Sequence, residues 1–233
     1  MEKLFLDSAD YVGVSFWLVS IGMIAATVFF LYEGAFVKKK WRLSLLVVGL
    51  VTLVAAVHYD YMRDFWVVKE ATPNIYRYID WLITVPLQMI EFYIILVAAG
   101  AAIGSSSFLR LLVGTIAMLL FGYLGEAGLM DVTLAFVLGM VGWAVIIYEI
   151  FAGAASSAAK TAGGAVMSAF NAMRLIVLVG WAIYPLGYVL GYLAGGVDSA
   201  TLNLVYNLAD FVNKILFGLV IWHLAVNDSS ENA

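Results

Sequence analysis

Seven long apolar stretches alternate with short polar connections along the chain, near 11–32, 43–62, 75–98, 107–127, 131–152, 165–192 and 199–226. A helix crossing the hydrocarbon core of a bilayer needs about 20 mostly apolar residues, so each stretch is long enough to span. The connections hold Gly, Ser and charge, as in Lys38-Lys39-Lys40, Gly104 to Ser107 and Gly195-Gly196-Val197-Asp198, where helices stop. Short links make consecutive helices antiparallel neighbours. The pattern therefore predicts an all-α membrane protein, a seven-transmembrane-helix bundle over 11–226. Residues 1–10 carry Glu2, Asp7 and Asp10 and no apolar core, so they do not read as a signal peptide. Residues 227–233 read as a short polar tail without order. No internal repeat stands out, which disfavours inverted-repeat carriers.

Composition strengthens this reading. Of 233 residues, 64% are hydrophobic and 12% charged, against about 45–50% and about 25% in soluble domains. The net charge of −4, with no basic stripe, argues against nucleic acid as a partner. With no cysteine in the chain, disulfides, thiol catalysis and cysteine metal sites are excluded, and no metal site is expected. Lys38, Lys39, Lys40, Arg42, Arg110 and Lys160 lie on one side of the predicted bundle and Lys3, Arg63 and Lys69 on the other. That excess makes the first side cytoplasmic, with the N-terminus outside and the C-terminus inside.

Charge in hydrocarbon costs roughly 2.5–3.5 kcal/mol on insertion scales and by default marks function. Five ionisable residues fall well inside predicted spans: Arg77, Asp80 and Glu91 on the third, Asp210 and Lys214 on the seventh, with His58 near the outer end of the second. Lys214 stands at mid-span, too deep to snorkel to a headgroup. It can form a structural ion pair, or, since desolvation disfavours the ammonium, serve as a neutral amine that condenses with an aldehyde. Asp210 lies four residues earlier on the same helix face. Asp80 and Thr84 also share a face, and Arg77 sits one turn outward of Asp80. Asp80 and Glu91 are eleven residues apart, three turns plus about 20°, which puts both acids on one stripe roughly 16 Å apart. Two acids at different depths around a basic nitrogen make a ladder for protons.

Trp81, Thr84, Met118, Gly122, Trp143, Trp181, Tyr184 and Pro185 can together form a long flat slot, although each alone is ordinary packing. Pro86 and Pro185 can also be simple kinks, which membrane bundles tolerate. Glu126 and Asp60, near outer helix ends, and Glu149, near the inner end of the fifth helix, read as interfacial or subunit contacts. Arg174 reads as a snorkelling residue of the sixth helix.

The run Arg77-Tyr78-Ile79-Asp80-Trp81-Leu82 through Pro86 to Glu91 resembles the third helix of microbial rhodopsins. Trp181-Ala182-Ile183-Tyr184-Pro185 resembles the part of their sixth helix that covers retinal, and Asn207 to Lys214 resembles the lysine helix of the proteorhodopsins in particular. The similarity runs from Asp7 to the end of the seventh helix. It implies a light-driven outward proton pump in a bacterial plasma membrane, not an enzyme. In that pattern Lys214 carries all-trans retinal as a protonated Schiff base, Asp80 is counterion and proton acceptor, and Asp210 is second counterion. Glu91 is the proton donor, Arg77 belongs to the release region, and the triplet Asp80, Thr84, Glu91 marks proton transport. His58 contacts the counterion and meets Trp17 of a neighbouring subunit in a homo-oligomer, a pentamer or hexamer. Gln88 beside the polyene implies blue rather than green absorption. Two rival readings stay open: a photosensory rhodopsin signalling to a partner, and a retinal-free seven-helix carrier or receptor.

Overall fold

The computed structural model describes residues 5–230. Its seven spanning helices are α1 (Tyr11–Glu33), α2 (Lys39–Lys69), α3 (Asn74–Ala98), α4 (Ser105–Glu126), α5 (Val132–Ala162), α6 (Gly164–Leu193) and α7 (Ser199–Ser230), and no strand occurs among the described residues. Acidic side chains start several of them, satisfying amide groups that have no partner in a first helical turn. Asp10 accepts from Gly13 N and Asp131 from Leu134 N, each at 2.9 Å. Asp198, in the connection before α7, accepts from Thr201 N at 2.9 Å. That backbone bond, together with the Thr201 hydroxyl, holds the Asp198 carboxyl below the usual carboxylate range.

The bundle carries large apolar side chains on its outer surface as well as in its core, and it buries several charged and polar ones. On α3, Ile75, Ile79, Leu82 and Ile83 are exposed while Arg77, Asp80, Thr84, Gln88 and Glu91 are buried. Only an apolar surround makes that distribution stable. Where α4 and α5 cross, small residues let the backbones touch: a Cβ on Gly142 would stand 2.6 Å from Met118 N and 2.7 Å from Gly114 O.

The structure departs from the expected boundaries in three places. Helix α2 continues to Lys69, so His58 lies well inside it and not near its outer end. The fifth and sixth helices leave almost no loop: α5 bends at Ala152–Gly153 and resumes over Ala154–Ala162, and Gly163, at φ +63°, turns the chain straight into α6. The polar tail is helical as far as Ser230. Asp228 anchors it, accepting from Trp41 Nε1 at 2.9 Å and pairing with Lys40 and Lys38. The expectations for residues 231–233, and for Glu2 and Lys3, lie outside the described residues.

Helix α6 is irregular. Residues Ile176–Gly180 and Val189–Leu193 are π-helical, closed by bonds from Trp181 N to Ile176 O and from Ala194 N to Val189 O. Pro185, without an N–H, lies between them.

Candidate functional site

Lys214 projects from the middle of α7 into the bundle and is 3% exposed. Its Nζ contacts Asp80 Oδ2 and lies 3.2 Å from Asp210 Oδ2. Arg77 completes a buried set of two cations and two anions. Mutual compensation is what lets these charges stay buried, and removing one member of such a pair costs about 3–5 kcal/mol.

The two carboxylates are held unequally. Asp210 accepts from Tyr59 OH at 2.7 Å, Tyr184 OH at 2.5 Å and Trp81 Nε1 at 3.1 Å, besides Lys214. Asp80 has Lys214 alone, and its Oδ1 is buried with no hydrogen-bond partner. Asp210 is thus held by four donors, while one oxygen of Asp80 has none. Thr84 supports Asp80 only through the backbone, its Oγ1 donating to Asp80 O at 2.9 Å. Arg77 donates to Tyr59 OH, Asn203 Oδ1 and Asn207 Oδ1 at 3.1, 2.9 and 2.8 Å, and Asn207 continues to Ser15 Oγ at 2.9 Å. The guanidinium is pinned one turn before Asp80, toward the N-terminal end of α3.

Beside Lys214 opens a cavity with about 840 Å³ of space between atoms, its mouth included. Every slot residue expected from sequence except Thr84 lines it: Trp81, Met118, Gly122, Trp143, Trp181, Tyr184 and Pro185, with Gln88 as well. Gln88 Nε2 and Trp143 Nε1 are buried there without partners. A mostly apolar chamber ending at a buried amine with a carboxylate on either side fits a long apolar aldehyde joined to Lys214.

Glu91 is fully buried on the C-terminal half of α3, and neither of its oxygens has a hydrogen-bond partner. Ser44 of α2 is its polar neighbour. Phe92 beside it packs edge-on against Phe170 and Phe217, at 5.1 and 5.9 Å between ring centres.

Other expected residues are placed differently. His58 is half-buried, and its Nδ1 is 2.9 Å from Val54 O; no hydrogen bond joins it to Asp80 among the described residues. Trp17 is exposed at 41%, with the Arg63 guanidinium 4.9 Å from its ring. Glu126 is half-buried: it lines the cavity and accepts from Tyr78 OH at 2.9 Å and Tyr192 OH at 3.0 Å. Glu149 is turned inward and fully buried, receiving Ser107 Oγ, Arg110 Nε at 2.6 Å and Ala155 N at 2.9 Å, so it ties α4 to the bend in α5. Arg174 lies over the Phe151 ring at 4.6 Å. Asp60 is half-buried and faces Arg63 at 3.8 Å.

Sequence reading missed Tyr59, Asn203, Asn207 and Asn213. The three asparagines carried a signal: 203, 207, 210 and 214 recur at helical spacing as a polar stripe on an apolar helix, with Asn213 at its edge. Tyr59 carried none, being one aromatic among many.

The model of the bacteriorhodopsin-like protein family matches residues 10–228. The chain is 57% identical to the blue-light absorbing proteorhodopsin of Gamma-proteobacterium Hot 75m4, over 97% of this chain and 90% of that protein. It is 56% identical to the green-light absorbing proteorhodopsin of Gamma-proteobacterium EBAC31A08, over 97% of this chain and 91% of that protein. The crystal structure of a blue light-absorbing proteorhodopsin from Med12 superposes with a TM-score of 0.82 at 50% identity, covering 94% of this chain and 99% of that one.

Proposed function

The chain belongs to the bacteriorhodopsin-like family, and from that premise we propose that it is a light-driven outward proton pump with all-trans retinal on Lys214. The observation that carries the reading is a buried amine held between Asp80 and Asp210 at the end of an apolar cavity. Joined at Lys214 Nζ, retinal supplies visible absorption and a light-driven change in double-bond geometry. The protein's own groups do the rest. Asp80 Oδ2, in contact with Lys214 Nζ, takes the proton released at that nitrogen. Asp210, fixed by its other donors, keeps its charge and holds the nitrogen in place. Arg77 keeps positive charge outward of Asp80, favouring proton departure on that side. Glu91, buried on the inner side, returns a proton to the nitrogen and refills from the cytoplasm. Moving each charge against 100 mV requires about 2.3 kcal/mol, which light must supply.

Finer assignments rest on the same reading. The excess of Lys and Arg beside the inner helix ends supports an external N-terminus, a cytoplasmic C-terminus and outward transport. Gln88, with a free amide on the cavity wall, supports blue absorption: a fixed dipole there changes how far charge shifts on excitation. The chain is 57% and 56% identical to a blue- and a green-absorbing relative, so overall identity does not separate the colours. A homo-oligomer with Trp17 meeting His58 across subunits is supported by the exposure of Trp17. Adding all-trans retinal to the apoprotein tests the core assignment. A visible band should appear and Lys214→Ala should abolish it; a colourless wild type would end the account. Illuminated vesicles that colour but produce no pH change would favour a sensor.

A further inference from the structure

Pro185 has a consequence that reaches the ligand lysine. Without an N–H, it leaves Trp181 O with no donor from the next turn, and Tyr184 N bonds to Trp181 O instead, at 3.1 Å. Tyr184 N is the group that would serve Gly180 O in an unbroken α-helix. Gly180 O is satisfied from another helix: Asn213 Nδ2 of α7 donates to it at 3.1 Å. Gly180 is what lets the amide in, since a Cβ there would stand 2.2 Å from Asn213 Oδ1. Asn213 is also the residue immediately before Lys214.

The position of this bond gives it leverage. Outward of it, α6 is tied to α7 by Tyr184 OH on Asp210, at 2.5 Å, and by Tyr206 OH on Tyr184 O, at 3.3 Å. Inward of it, over 164–179, α6 makes no hydrogen bond to another helix among the described residues. Gly180 also ends a π-helical turn, a local break in the regular helical ladder. The inner half of α6 is therefore a lever whose last lateral hydrogen bond is Asn213 to Gly180.

We propose that Asn213 is a latch that holds α6 closed over the inner half of the bundle, and that displacement of Lys214 releases it. Asn213 is a positioning residue: it moves no proton but sets when the cytoplasmic side opens toward Glu91. This rests on the pump reading above and adds to it the element that switches access. Because the latch and the lysine are adjacent in the backbone, a strain entering at Lys214 reaches Gly180 through one side chain.

The chain has no cysteine, so two spin labels can be placed without background. Leu46→Cys on α2 and Ser168→Cys on α6 are exposed positions on inner helix halves. Pulsed electron spin resonance on the retinal-loaded full chain in lipid nanodiscs then reads the α2–α6 separation in the dark and in trapped light. In the wild type, light should add a longer distance. Asn213→Leu, similar in size but without a donor, should raise the share of that longer distance in the dark relative to the closed one by about threefold to tenfold, the net worth of one hydrogen bond. Gly180→Ala, which pushes the amide away from the opposite helix, should act in the same direction. Asn213→Gln, which keeps a donor, should lie nearer the wild type. The visible band reports that each variant is folded and loaded. The latch is overturned if Asn213→Leu and Gly180→Ala keep the wild-type dark distances while the wild type opens in light, or if a pumping wild type shows no light-induced distance. A wild type that neither colours nor acidifies brings down the pump reading, and the latch with it.

Discussion

Replacing Glu91 with glutamine removes one titratable proton and almost no volume. The carboxyl is buried with both oxygens free of hydrogen bonds and lies roughly 16 Å along α3 from Asp80. Phe92, Phe170 and Phe217 pack together beside it. In the proposed cycle, a proton coming straight from the cytoplasm would have to pass this apolar half without a relay. A positioned general acid contributes about 10²- to 10⁴-fold, equivalent to about 2.7–5.4 kcal/mol of barrier. Glu91→Gln should therefore slow the return of the visible band after a flash by at least about 10²-fold. The sign of the pH dependence follows from where the proton comes from. With Glu91 present, recovery draws on a bound proton and varies little with bulk pH across the range in which that group refills. Without it, the rate should follow proton concentration and fall about tenfold for each unit of rising pH. Flash photolysis of the loaded protein in vesicles reads both. Recovery within twofold of wild type and flat with pH would refute the donor role. Thermal stability should change little, since no hydrogen bond of Glu91 is lost.

Gln88→Leu removes the amide from the cavity wall and should shift the absorption maximum to the red; no shift, or a blue shift, rejects Gln88 as the tuning residue. Glu149→Ala leaves the amide of Ala155 without its acceptor, and should cost about 1–3 kcal/mol, read as a lower temperature for thermal bleaching; unchanged bleaching would return Glu149 to the surface role expected from sequence. Gly142→Val places a side chain 2.6 Å from Met118 N and should force α4 and α5 apart at a cost of about 1–3 kcal/mol by the same assay. A Gly142→Val protein as stable as wild type would mean that this crossing tolerates wider spacing.

Much of this arrangement is legible in sequence, because the bilayer leaves few options. Long apolar runs must be helices, and a charge among them must face inward, so Arg77, Asp80, Glu91, Asp210 and Lys214 stand out against their neighbours. The cavity wall is legible only as a set, since Trp143 or Met118 alone reads as packing. What sequence does not show is side-chain direction at helix ends. Glu126 and Glu149 stand near span termini, where headgroups, subunits and the interior are all within reach; hydrogen bonds from Tyr78, Tyr192, Ser107 and Ala155 decide for the interior. The tail departs from expectation for a similar reason: Asn227 to Ser230 is polar, but Asp228 finds Trp41 and the Lys38–Lys40 turn, and those contacts extend the helix. The latch at Asn213 depends on a carbonyl left over by Pro185 on another helix, which no local pattern encodes.

The pH of an unbuffered suspension of cells carrying the chain and all-trans retinal tests the central claim most directly. Light should acidify the medium, a protonophore should collapse the change, and Lys214→Ala and Asp80→Asn should each show none. A wild type that leaves the medium unchanged or turns it alkaline, while Lys214 carries the chromophore, would contradict outward transport from Lys214 through Asp80.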